Sequence, residues 1–214
     1  MNPFLSFLLS DIFPGALHPE HLADLRKSGL NDETIKSQKL RSVPPHMIAQ
    51  LLGFDSPGIR SALLIPFPDW DGQFMNHIRM KIFPPLTDKG GHSIKYLQPK
   101  RSGVRLFLPL STIGRVFAEK TALWLVEGEK KALAVAQLGL AALGFCGVEG
   151  WHASGSRELL ADFDRLQLQD RIVELAVDGD VQTNPHVKMA TRRFADALRS
   201  RGARPRLLRL PVAA

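Results

Sequence analysis

The spacing of apolar positions changes twice along the chain and divides it into three stretches. In residues 1–60 the apolar runs are short and broken by turn residues. The apolar start, Phe4 to Phe13, is interrupted by Ser6, Ser10 and Asp11, which predicts a short helix packed on the body. Pro19 to Lys27 predicts a second helix ending near Gly29. Asn31 can cap a third, because its side-chain oxygen accepts from the first free backbone N–H groups. A fourth runs from Pro45 to Leu52 and stops at Gly53.

Residues 61–118 read as β-rich. Ala62 to Phe67 is a continuous apolar run, and Asp69-Trp70-Asp71-Gly72 is a turn signal. Phe74 to Phe83 alternates apolar and basic positions, the period of a strand. Ser93 to Leu97 and Val104 to Leu108 are further candidate strands, with Pro84 to His92 as a loop. Residues 119–212 alternate strands with helices. The strands are Ala122 to Val126, Leu140 to Leu143, Ile172 to Val177 and Arg206 to Leu210. The helices are Glu129 to Leu138, closed by Gly139, then Ser156 to Leu166, then one opened by Asn184-Pro185 as N-cap and first helical residue. Val187, Ala190, Phe194, Ala197 and Leu198 share one face of that last helix, which Gly202 closes. This order predicts an α/β fold with a mainly parallel sheet flanked by helices, preceded by a smaller helical and β-rich basic subdomain. The expected organisation is a helical N-terminal segment (1–60), a basic β-rich subdomain (61–118) and an α/β domain (119–212).

Composition fits a folded chain: 44% of the 214 residues are hydrophobic, so a core can be buried. The net charge of +7 makes polyanions the favoured partners, nucleic acid before an anionic membrane. Charge concentrates near the end: Lys188, Arg192, Arg193, Arg199, Arg201, Arg204, Arg206 and Arg209 face one acid, Asp196. The lone cysteine, Cys146, excludes an internal disulfide and a Cys-rich zinc site within this chain. It suits a reducing compartment, and a cytoplasmic location is expected. Phe4 to Phe13 is too short to span a bilayer, and no basic segment precedes it, so neither a membrane anchor nor a signal peptide is expected.

The chemistry sits at two predicted strand ends. Glu127 directly follows Ala122 to Val126, and Gly128 lets the chain turn. Asp178 follows Ile172 to Val177, with Gly179 and Asp180 after it. In sheets of this kind ligands gather at the carboxyl ends of the strands. Three carboxylates brought together repel one another, and a divalent cation relieves the repulsion. Hard oxygen donors select Mg²⁺ or Mn²⁺. The bland alternative is three ordinary loop acids. For Lys130 and Lys131, which open the next helix, phosphate binding and plain solvent exposure both stand. Trp151 and His152 follow a Gly-rich loop, with packing the expected role, and Cys146 is expected in the core. His18, His21 and His46 lack ligand spacing.

The string Leu125-Val126-Glu127-Gly128, followed some fifty residues later by Val177-Asp178-Gly179-Asp180, resembles the Toprim domain shared by bacterial primases, type IA and type II topoisomerases and some nucleases. Ile65-Pro66-Phe67 through Gly72, Ile78-Arg79 and Lys95-Tyr96-Leu97 are similar to segments of the bacterial primase catalytic core. His21 to Leu30, Glu127 to Ala132 and Asn184-Pro185 look like the Toprim-like domains of phage and plasmid primases. The resemblance implies a metal-dependent, primase-like nucleotidyltransferase core in a mobile-element replication system. It implies Glu127, Asp178 and Asp180 as catalytic and metal-holding residues for Mg²⁺ or Mn²⁺, with Glu127 able to act as general base. It implies single-stranded DNA template and nucleotides as partners, contacted by Arg79, Lys81, Lys95, Lys100, Arg101, Lys130 and Lys131.

Three departures from the family pattern stand out. Lys131 occupies a position where primases usually carry Asp. The chain has no zinc-ribbon cysteines and no Walker A pattern, so a zinc-module or helicase partner is expected. No acidic cluster follows the last predicted strand, which suggests a truncated or split form. Two other readings share the motifs: a Toprim metal-dependent nuclease, in which the carboxylates activate water, and a non-catalytic nucleic-acid-binding module that needs a partner.

Overall fold

The computed structural model describes residues 2–13, 15–178 and 184–208. The chain forms two compact units, residues 1–102 and 103–214. No helix among the described residues is long and apolar enough to cross a membrane.

The first unit contains α1 (Pro3–Leu9), α2 (Pro19–Lys27), α3 (Asp32–Ser37), β1 (Arg41–Val43), α4 (Pro45–Leu52), β2 (Ser61–Pro68), β3 (Phe74–Thr87) and β4 (Ser93–Leu97). Local chemistry sets its helix ends. The Asn31 side chain accepts from Thr34 N–H at 2.8 Å, and Gly53 leaves α4 in the left-handed conformation (φ 75°). The four strands form one antiparallel sheet in the order β1-β2-β3-β4. β2 is buried along nearly its whole length because both its faces are covered. Leu5, Leu8, Met47, Ile48 and Leu51 of α1 and α4 pack with Ala62, Leu64, Ile78, Met80 and Ile82 on one face. On the other, α2 places His21 against Phe83 and Ser61 and pairs Asp24 with Lys81. Two readings are corrected in this unit. β1, only three residues long, carries no pattern of its own and exists because β2 offers it an edge. β3 continues to Thr87 through much of the expected loop, because Leu86 and Thr87 pair with Ile94 and Ser93 beyond a bulge.

The second unit contains α5 (Ile113–Val116), β5 (Leu123–Glu127), α6 (Glu129–Ala136), β6 (Ala141–Phe145), β7 (Ile172–Ala176), α7 (Pro185–Ser200) and β8 (Arg204–Leu208). Its sheet is wholly parallel, in the order β6-β5-β7-β8, flanked by helices. The strands are short runs such as Leu123-Trp124-Leu125-Val126, dense in apolar residues as buried parallel strands must be. α7 is capped by Asn184, which accepts from His186 N–H at 3.0 Å, and buries Val187, Ala190, Thr191, Phe194 and Leu198. Phe194 is the centre of an aromatic cluster. It stacks on Trp151 (5.1 Å, 7° between planes) and meets Phe145 and Phe163 edge-on.

Three local expectations fail in this unit. Ser156 to Leu166 is not an α-helix; only Ala161–Arg165 makes a 3₁₀ turn. Asp162 in that turn is tied to Arg105 Nε (3.0 Å) and Leu106 N–H (2.8 Å), tertiary bonds that a continuous helix would not permit. Val104 to Leu108 is not a strand; Phe107 alone exchanges two 2.8 Å bonds with Gly144. The Gly144 backbone can come this close because a side chain there would meet Phe107 at 3.1 Å and Ala132 at 3.2 Å. Cys146 is half-buried rather than a core residue. Arg209 and Leu210, the end of the last expected strand, lie outside the described residues.

Candidate metal and nucleic-acid site

The parallel sheet reverses its direction of growth between β5 and β7. From β5 the chain crosses to β6 on one side, and from β7 it crosses to β8 on the other. Such a switch point opens a crevice at the carboxyl ends of its two strands, where ligands bind in open α/β sheets. Glu127 is the last residue of β5. Val126 pairs with Ala176, so Asp178 lies just past the matching end of β7. The two residues touch: Glu127 Oε2 accepts the backbone N–H of Asp178 at 3.1 Å. Gly128 makes this possible. Its backbone (φ 93°, ψ 142°) suits glycine alone, and it turns the chain from β5 directly into α6. Its N–H donates to Phe145 O at 2.8 Å, which anchors the turn to β6.

Lys131 belongs to the same cluster. It lies in the first turn of α6, and its ammonium group donates to Asp178 Oδ1. Both side chains are about half exposed (49% each), so the pair contributes only about 0.2–1 kcal/mol. A cation that offers more can displace it. The ammonium is in effect a stand-in cation: it shows that the Asp178 carboxylate takes positive charge at the switch point. The donors are oxygens of two carboxylates, and Mg²⁺ is usually held by one or two carboxylates plus substrate phosphate. The residues present therefore fit a hard divalent ion. Among the described residues no third His, Cys, Asp or Glu completes a group of three. Asp180, with Gly179, lies outside the described residues.

Within the first unit, the basic residues expected to meet nucleic acid are divided between opposite strand faces. Arg79 and Lys81 lie on one face of β3, and the Arg79 guanidinium sits over the Tyr96 ring at 4.8 Å. Lys81 is paired with Asp24, both side chains 16% exposed, so α2 holds it. Lys95 neighbours Tyr96 on β4 and so points to the other face of that strand. Lys95, Lys100 and Arg101 are exposed, and Lys130 is partly exposed. The arginine-rich end is less electropositive than its sequence implies. Arg193 pairs with Glu149, Arg199 with Asp196, Arg201 with Asp164, Arg204 with Asp170 and Arg206 with Glu174. Gln169 and Arg204 hold the Asp170 carboxyl below its usual pKa.

Two features were not visible in the sequence. One is the Lys131–Asp178 pair, whose members are 47 positions apart. The other is a cluster in the loop after β6, where Glu149 joins His152 (2.9 Å) and Arg193 beside the buried Trp151. The Lys131–Asp178 and Arg193–Glu149 pairs have no local signal, because each forms only when α6 or α7 docks on the sheet.

Residues 115–214 match a family described as a domain of unknown function (DUF3854). No curated protein sequence matches the chain at a significant level. Several solved structures share its fold. A DnaG catalytic core superposes with a TM-score of 0.62 at 20% identity, covering 97% of this chain and 69% of that one. The E. coli primase catalytic core gives 0.58 at 19%, covering 91% and 67%. A DnaG primase catalytic domain bound to single-stranded DNA gives 0.59 at 19%, covering 97% and 71%. The chain thus spans about two thirds of each of these cores and is similar to them in fold.

Proposed function

We propose that this chain is a primase-like nucleotidyltransferase core of a phage or plasmid replication system, with a Toprim-type centre in its second unit. The observation that carries the proposal is the meeting of Glu127 and Asp178 at the switch point of a parallel sheet, within a fold similar to primase cores. Glu127 and Asp178, joined by Asp180, are the residues that would hold Mg²⁺ or Mn²⁺. When bound, the ion neutralises charge on the phosphoryl group being transferred. Glu127 would take the proton of the attacking ribose hydroxyl. The Asp178 N–H bond to Oε2 holds its carboxylate at the end of β7. Lys130, beside the centre, is suited to nucleotide phosphates. Lys95, Lys100 and Arg101 of the first unit, all exposed, are suited to the backbone of a single-stranded template.

Primer synthesis on single-stranded DNA with ribonucleotides and Mg²⁺ or Mn²⁺ tests this reading. Short labelled oligoribonucleotides are expected from the unaltered chain and none from Glu127→Gln or Asp178→Asn. No product on any template, with or without a helicase or zinc-module partner, refutes it. Metal-dependent cutting without nucleotide incorporation would identify a nuclease instead.

A further inference from the structure

We propose that Lys131 is a resident counter-ion of the acidic centre, which a divalent cation must displace, and that the displaced ammonium is handed to the incoming phosphate. The inference rests on the metal-centre reading above and adds a rule for how that centre is loaded.

Three observations carry it. The Lys131 ammonium donates to the same carboxylate, Asp178, whose backbone N–H is fixed by Glu127. The ammonium therefore already pairs with one of the two carboxylates that would hold a cation at the ends of β5 and β7. Second, Lys131 lies in the first turn of α6, where the helix dipole favours anions and disfavours cations. Its ammonium is paired there with Asp178. Third, the pair is half exposed and thus weak, so it can exchange when a doubly charged ion or a phosphate arrives. An ammonium on a four-carbon stem can swing while its backbone stays in the helix. A phosphate bound to a cation at Glu127 and Asp178 would lie within the reach of that stem.

Removing the lysine charge should therefore tighten the metal and loosen the phosphate. An ammonium that must first leave an exposed pair weakens cation binding by up to roughly fivefold. The experiment is calorimetric titration of the full chain with Mn²⁺ alone, and then with inorganic pyrophosphate at saturating Mn²⁺. The unaltered protein, Lys131→Gln and Asp178→Asn are compared, with circular dichroism to confirm that each is folded. The expected result is Mn²⁺ binding up to about fivefold tighter in Lys131→Gln and lost in Asp178→Asn, with pyrophosphate several-fold weaker in Lys131→Gln. Equal Mn²⁺ affinity in the unaltered chain and Lys131→Gln, with loss in Asp178→Asn, overturns the counter-ion role but leaves the metal centre standing. Unchanged pyrophosphate affinity in Lys131→Gln overturns the hand-over. No Mn²⁺ binding in any of the three overturns this inference together with the metal-centre reading.

Discussion

Acidification should destabilise the first unit through one histidine. His21 is fully buried between α2 and the sheet. Its Nδ1 lies 2.7 Å from Ser42 Oγ and its Nε2 3.1 Å from Ser61 Oγ. The ring packs against Phe83 at 4.7 Å. Burial pushes its pKa from 6.5 down to about 4, helped by the nearby His18 and Lys81 and opposed by Asp24. Because the folded pKa lies below the unfolded one, the unfolded chain binds the proton first. The contribution to stability is complete above pH 6.5 and is lost as pH falls toward 4. Linkage puts this loss at about 2 kcal/mol between pH 7 and pH 5. That is a large part of the roughly 5–15 kcal/mol that holds an ordinary domain together. The perturbation is His21→Gln, which cannot take the proton but keeps an amide near the two serines. Urea unfolding at pH 7, 6 and 5, followed by circular dichroism, gives stability against pH for both proteins. The variant should be less stable at pH 7 and should lose about 2 kcal/mol less on going to pH 5. Parallel curves would refute the reasoning, as would an NMR titration placing the His21 pKa near 6.5.

Phe194→Ala removes the ring shared by Trp151, Phe145 and Phe163, and calorimetry should show a loss of about 3–5 kcal/mol. Asp162→Ala strands the Leu106 N–H and the Arg105 guanidinium; a loss of about 2–4 kcal/mol is expected, with Asp162→Asn milder, by chemical denaturation. Gly128→Ala meets no atom within 4 Å, but its φ of 93° strains any side chain; a loss of about 1–3 kcal/mol should accompany weaker Mn²⁺ binding in the same titration. If Lys100 and Arg101 contact template phosphates, replacing both by Ala should flatten the log–log salt dependence of single-stranded DNA binding by about 1.4, roughly 0.7 per contact.

Where the signal is local, the sequence alone determined the structure. Pro19 to Lys27 and Pro45 to Leu52 are helices with the expected ends, and Ser93 to Leu97 is a strand with the expected ends. Asn31, Gly53 and Asn184 act within a few residues of themselves, through caps whose partners the chain itself supplies. The alternation from Leu123 onward likewise implied a parallel sheet, and strand-end position singled out Glu127 and Asp178. Tertiary contacts decided the rest. Leu159, Leu160, Phe163 and Leu166 are spaced like a helix, yet the bonds from Arg105 and Leu106 to Asp162 hold that segment otherwise. The arginines near the end read as a one-sided field, but Glu149, Asp164, Asp170 and Glu174 pair with four of them once α7 and β8 dock. The site depended on the same kind of event. Glu127, Lys131 and Asp178 converge only because β7 inserts beside β5 instead of β6. That choice is made by the burial of whole strand faces, and no short stretch of sequence encodes it.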